Sequence, residues 1–167
     1  MDLTLEINVL AAELVAMLQA QGKTFAAAES CTGGAISQAV TSVPGCSSVM
    51  RGAVVAYHND VKAGVLGVGE DTLSEYGAVS EEVVIQMVGG VSAMLGADCA
   101  VATSGIAGPG GGTPEKPVGT VWVAAKVGTD IRTRLLQLED AGRAANVKSS
   151  VAEAFRFVLD MLSCAEG

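Results

Sequence analysis

Between an apolar run and two glycines, the stretch Ala28-Glu29-Ser30-Cys31-Thr32-Gly33-Gly34 gathers a carboxylate, two hydroxyls and a thiol. Small polar side chains of this kind cap a helix by taking its free N–H groups, and the same N–H groups stabilise an anion. Ser30 is therefore either a helix cap or a nucleophile on a tight turn, with the backbone amides of Cys31, Thr32, Gly33 and Gly34 as oxyanion donors. The local residues support both readings equally.

A serine nucleophile needs a base. His58 is the only histidine, and a Cys31–His58 pair is the thiol alternative, although a solvated loop position is the commoner role for such a residue. Lysine serves as the base in Ser-Lys hydrolases, and Lys62 follows shortly after Tyr57. To work near neutral pH its pKa must fall by about 3 units from a reference near 10.4, which costs on the order of 4 kcal/mol and demands burial or a neighbouring cation. A Tyr57 hydroxyl beside the pair can relay a proton, while the ordinary role of Tyr57 and Trp122 is pocket wall or core.

A second stretch, Thr103-Ser104-Gly105-Ile106-Ala107-Gly108-Pro109-Gly110-Gly111-Gly112-Thr113-Pro114, is too rich in glycine for a regular element and suits close approach of backbone to a ligand. Its N–H groups can cradle a phosphate. The GK[ST] ending of a nucleoside-triphosphate loop is missing, so magnesium-dependent phosphoryl transfer is not implied.

These residues need elements to hold them. Leu10, Leu14, Val15 and Leu18 recur at helical spacing, which predicts a helix from Leu3 to Gln21 closed by Gly22. A strand over Thr24 to Ala28 runs into the Ser30 turn, and a helix from Ala35 to Val43 ends at Pro44-Gly45. Gly52 to Tyr57 reads as a strand, with Asn59 or Asp60 capping a short helix that carries Lys62. After a glycine-rich connection, Ser80-Glu81-Glu82 opens a helix to Leu95 in which Gly89-Gly90 weakens the middle and permits a bend. A strand over Cys99 to Thr103, a hairpin of Val118–Val127 with Ile131–Leu138, and a closing helix from Ala144 to Leu162 complete the chain. The pattern predicts one α/β domain over residues 1–167, a layered α/β/α sandwich on a mixed central sheet.

Bulk composition narrows the function. The chain of 167 residues is half hydrophobic, with 17% charged residues and a net charge of -8. Without a Lys/Arg cluster, such a chain carries no electrostatic footprint for nucleic acid, and an anionic ligand must be held by local geometry. Cysteines 31, 46, 99 and 164 form no CxxC pair, so reduced thiols are expected rather than a zinc site. The longest apolar stretches are broken before the roughly 18 residues of a bilayer span. The acidic start Met1-Asp2-Leu3-Thr4-Leu5-Glu6 lacks the basic region of a secretory leader. A soluble cytoplasmic protein with no membrane partner is expected.

Three segments together resemble the CinA C-terminal domain family: Ala28 to Gly34; Val55-Ala56-Tyr57-His58-Asn59-Asp60-Val61-Lys62 with Leu66-Gly67-Val68; and Thr103 to Gly111 with Lys116-Pro117-Val118-Gly119-Thr120-Val121. The resemblance runs from about Thr24 to the last helix. It implies a nicotinamide-nucleotide amidase, which hydrolyses the carboxamide of nicotinamide mononucleotide to nicotinate mononucleotide and ammonia without metal or cofactor. In that scheme Ser30 attacks, Lys62 takes and returns the proton, and Tyr57 assists. Glu29, Cys31, Thr32, Gly33, Gly34 and Asn59 surround the substrate together with Thr103, Ser104, Gly105, Ile106, Gly108, Pro109 and Gly110. The last helix of many members begins Gly-Asp-Arg, with a further Arg; here Gly142-Arg143-Ala144-Ala145-Asn146-Val147-Lys148 stands instead, and Arg143 is the expected substitute for the displaced contact. Larger CinA proteins carry an additional N-terminal domain of the molybdopterin-binding type, whose activity is not expected of these residues. The expected partner is a small nucleotide substrate, and the family's habit of self-association implies a homodimer or higher homo-oligomer. A catalytically silent nucleotide-binding module of the same family is the alternative.

Overall fold

The computed structural model describes residues 2–165. Five strands, β1 (Phe25–Glu29), β2 (Met50–Val55), β3 (Cys99–Gly105), β4 (Thr120–Val127) and β5 (Asp130–Gln137), form one sheet in the order β2-β1-β3-β4-β5. β1 runs parallel to β2 and β3, whereas β4 is antiparallel to both β3 and β5, so the sheet is mixed as expected. The helices are α1 (Leu3–Gln21), α2 (Ala35–Thr41), α3 (Asn59–Gly64), α4 (Glu70–Tyr76), α5 (Glu81–Leu95) and α6 (Arg143–Ala165).

β1 sits between two neighbours and is buried on both faces, which explains its sequence Phe-Ala-Ala-Ala-Glu. Phe25 and Ala27 join one apolar layer with Leu14 and Leu18 of α1, Ile36 of α2 and Phe155 of α6. Ala26 and Ala28 face the opposite layer, where Val84, Met87 and Val91 of α5 pack with Leu66. Small side chains on this interior strand let both helical layers come close to the sheet. The α/β/α sandwich is thus two cores separated by one sheet.

The path of the chain places a crevice. From β1, α2 leads along one face to β2; from β2, α3 to α5 lead along the other face to β3, on the far side of β1. Between β1 and β3 the connections diverge to opposite faces, and such a switch point opens a cleft beyond the carboxyl ends of the strands. Ser30 follows β1 there, and Ser104 and Gly105 end β3.

Several boundaries differ from those the sequence predicts. α2 stops at Thr41, two residues before Val43, and β2 covers Met50–Val55, which leaves Ala56 and Tyr57 outside the strand. α3 is capped by His58, whose Nδ1 accepts from the Asp60 amide at 3.3 Å. α4 falls inside what reads as a glycine-rich connection. The helix through Gly89-Gly90 is continuous, and Gly90 is there for a different reason: a Cβ on it would lie 2.0 Å from the Leu66 carbonyl oxygen. The bare backbone of α5 therefore lets the turn after α3 dock directly.

α1 also departs from expectation. It is long and apolar enough, by length and composition alone, to cross a membrane, with a mean hydropathy of 1.5 over an 18-residue window. In the fold it packs on α6 and buries Ala11, Leu14, Val15 and Leu18.

Candidate active site

Ser30 leaves β1 at the switch point, its amide donating to the Thr103 carbonyl of β3 at 3.0 Å. Its hydroxyl lies 3.0 Å from Nζ of Lys62, which α3 carries in from the opposite side. Lys62 is 1% exposed and its Nζ also donates to the Tyr57 carbonyl at 3.3 Å. Burial pushes the Lys62 pKa below its ordinary value, because the charged form is the one that loses hydration; the Cys31 side chain opposes this weakly. The burial that a lysine base requires is therefore present.

Cys31 is a poor rival. Its thiol is pushed up to about 11, first by burial and, more weakly, by the Glu29 charge. His58 caps α3 with a side chain that is 76% exposed, and it is absent from the lining of the Ser30 pocket. The thiol alternative thus lacks both a thiolate and a base.

Glu29 has a role other than touching substrate. It is 0% exposed and faces the α2 layer, the same side as Phe25 and Ala27. Its carboxylate accepts from the Thr32 hydroxyl at 2.8 Å and from the amides of Gly34, Ile36 and Ser37 at 3.2, 2.9 and 3.0 Å. The Ser37 hydroxyl donates to it as well. The cap of α2 is therefore a side chain from the preceding strand, not Ser30, nor Thr32 and the glycines. Thr32 in turn bonds the Thr103 hydroxyl at 2.8 Å, which ties the Ser30 turn to β3.

This arrangement revises the predicted oxyanion donors. Gly33 donates to the Ser30 carbonyl and Gly34 to Glu29, so neither amide is free. Of the four amides, those of Cys31 and Thr32 have no acceptor among the described residues. The residue after a nucleophile is the usual first donor.

A cavity of about 250 Å³ opens at the Ser30–Lys62 pair. Of the residues predicted from sequence, the structure brings Cys31, Tyr57 and Asn59 to its wall, with Ser104, Gly105 and Ile106 opposite and Gly108, Gly110 and Arg143 completing it. Glu29, Thr32, Gly33, Gly34, Thr103 and Pro109 do not line it. They shape the turn and the strand ends behind it. Ala107 and Gly111 of the predicted glycine-rich loop line it as well, and so do Ala78 and Val79, which were not foreseen because they precede α5 in a segment whose sequence carries no chemical signal.

Tyr57 is 57% exposed, and its hydroxyl accepts from Arg143 Nη2 at 2.7 Å. Its contact with Lys62 is through the backbone carbonyl, so the phenol is part of the mouth of the pocket. Arg143 also donates through Nη1 to the Gly108 carbonyl at 2.7 Å. One guanidinium thus bridges two walls. Arg143 and Lys62 are the basic residues of the lining, which contains no carboxylate, and Arg143 is its fixed cation. Behind Arg143, buried Asn146 donates to the Ala107 carbonyl at 3.0 Å. Sequence reasoning missed this anchor because a helical Asn in an Ala-rich turn has no distinguishing spacing.

Comparison with known proteins places the chain. The sequence model of the CinA C-terminal domain matches residues 7–162. A CinA-like protein of Thermotoga maritima is 58% identical over 110 residues, 66% of this chain and 27% of that protein. One of Cytophaga hutchinsonii is 46% identical over 142 residues, 85% of this chain and 34% of that protein. The chain therefore spans about a third or less of these relatives. Among solved structures, the competence/damage inducible protein CihA of Agrobacterium tumefaciens is 39% identical with a TM-score of 0.91, covering 95% of this chain and 96% of the other. The competence damage-inducible protein A of Klebsiella pneumoniae is 34% identical with a TM-score of 0.91, covering 94% and 97%.

Proposed function

Because this chain belongs to the CinA C-terminal domain family, we propose that it is an amidohydrolase that converts nicotinamide mononucleotide to nicotinate mononucleotide and ammonia through an acyl-enzyme on Ser30. The observation that carries the reading is the buried Lys62 nitrogen 3.0 Å from the Ser30 hydroxyl, in a pocket whose charged lining is cationic. Neutral Lys62 takes the hydroxyl proton as Ser30 Oγ bonds to the carboxamide carbon, and the Cys31 amide stabilises the resulting oxyanion. The proton on Lys62 passes to the amide nitrogen, the C–N bond breaks, and ammonia leaves an ester on Ser30. Water, deprotonated by Lys62, then attacks the ester; the acid departs and Ser30 recovers its proton.

Arg143 and the free amides of the glycine-rich loop suit the phosphate of the nucleotide, which an acidic protein must hold by local contacts. The silent-module alternative draws on the altered segment Gly142 to Lys148; that segment delivers a cation to the pocket all the same, so the alteration leaves a basic ligand contact in place. Purified protein should release ammonia from nicotinamide mononucleotide without added metal, and Ser30→Ala should abolish the release while leaving the fold intact. Full activity in the Ser30→Ala protein would remove the proposed nucleophile, and tight nucleotide binding with no ammonia on long incubation would select the silent module.

A further inference from the structure

The first turn of α6 does more than supply Arg143. Asn146 is 1% exposed, and its amide has its orientation fixed by three neighbours. Nδ2 donates to the Ala107 carbonyl at 3.0 Å and to Asp140 Oδ1 at 3.1 Å, while Oδ1 accepts from the Ala141 amide at 3.3 Å. Asp140 is itself held by the Gly142 amide at 3.1 Å. Reversing the Asn146 amide would set an oxygen against two acceptors and an NH₂ against a donor, so only one orientation is satisfied.

The consequence lies in the next peptide. Across a planar trans peptide the carbonyl and the following N–H point in opposite directions. A hand on the Ala107 carbonyl from the α6 side therefore turns the Gly108 N–H away from α6, and that amide has no acceptor among the described residues. Gly108 lines the pocket, with φ of 85°, and a Cβ on it would meet Val118 Cγ1 at 2.6 Å, so the conformation and the fit both require glycine. The Gly108 carbonyl receives Arg143, which sets a cation next to the free amide.

We propose that Asn146 is a positioning residue for ligand binding: by holding the Ala107 carbonyl towards α6 it aims the Gly108 N–H into the pocket, as a donor to the anionic group of a phosphomonoester ligand beside Arg143. The inference rests on the reading above only for the kind of anion; the site itself is defined by the buried amide, the loop and the guanidinium. Asn146 acts on binding and not on the chemistry at Ser30.

The test uses ribose 5-phosphate, with ribose as the control, and amide-resolved NMR of the whole chain. In the wild-type protein the Gly108 amide proton moves downfield on adding ribose 5-phosphate and stays in place with ribose. Asn146→Asp, which replaces the donor by an acceptor, and Asn146→Leu, which keeps the volume and removes the donor, each weaken ribose 5-phosphate binding by about tenfold. With nicotinamide mononucleotide the loss falls on KM, with kcat within about twofold of wild type. If the Asp variant does not fold, the Leu variant and the wild-type Gly108 shift decide. An unmoved Gly108 amide in the wild type, or wild-type affinity in folded Asn146→Leu, overturns the proposal. Asn146-dependent binding of ribose 5-phosphate in a protein that releases no ammonia supports it and overturns the amidase reading alone.

Discussion

A lysine at 1% exposure beside a serine hydroxyl is held towards the neutral amine, because the ammonium would lose hydration that the Tyr57 carbonyl and Ser30 oxygen replace only in part. Its pKa in the folded protein lies below the ordinary 10.5, while the unfolded chain keeps the ordinary value. Between the two values the unfolded chain binds more protons, so this group makes stability rise with pH through that window and fall as pH drops to the folded pKa. Lys62→Met should remove that slope, read from denaturant midpoints across the alkaline range, and should lower kcat by about a thousandfold or more. The acid limb of the wild-type rate profile should report the same group and vanish from the residual activity of the variant. Cys31→Ala, by contrast, should keep activity within about threefold, since a thiol raised to about 11 supplies no thiolate at neutral pH and its backbone amide survives the change. Loss of activity in Cys31→Ala with survival in Lys62→Met would reverse the assignment.

Two elements are fixed by contacts that no local rule anticipates. α2 begins without a polar residue at its own cap position, because Gly34 stands there and Glu29 reaches forward from β1 to collect the amides. Glu29→Gln should cost about 2–4 kcal/mol, because an NH₂ would then face donors in a buried site, and the thermal midpoint should drop accordingly. An unchanged midpoint would mean that the carboxylate is not what starts the helix. Gly90→Ala acts on the other side of Ser30. The added methyl must displace the Leu66 carbonyl and with it the end of α3, so kcat should fall further than KM as Lys62 shifts from Ser30. The extent of α1, the Ser80 cap of α5 and the β4–β5 hairpin were legible, because periodicity, a cap residue and a Gly turn are local signals. The Gly90 approach and the Asn146 anchor were not, because each joins residues that only the fold brings together; the Glu29 cap is close in sequence, but a carboxylate at a strand end reaching past a glycine turn carries no cap signal of its own.

The sheet order explains why three motifs far apart in sequence share one pocket: β1 and β3 are parallel neighbours, so the turn after β1 and the loop after β3 meet at their carboxyl ends, and α3 after β2 brings Lys62 to the same end. It also sets a problem of charge. With 10 basic and 18 acidic side chains the molecule repels a nucleotide monophosphate at long range, and the pocket attracts it only through Arg143 and backbone donors at contact distance. Salt screens the first effect more than the second, since the Debye length is about 10 Å at 0.1 M and a contacting guanidinium lies well inside it. For nicotinamide mononucleotide, kcat/KM should therefore rise by about two- to threefold between low salt and roughly 0.15 M, the gain appearing in the encounter and not in kcat. Nicotinamide riboside, which lacks the phosphate and carries only the pyridinium cation, should show a fall instead. A monotonic fall for the nucleotide would instead place the controlling field in the pocket, with Arg143 and the glycine-rich loop steering the ligand against the charge of the molecule as a whole.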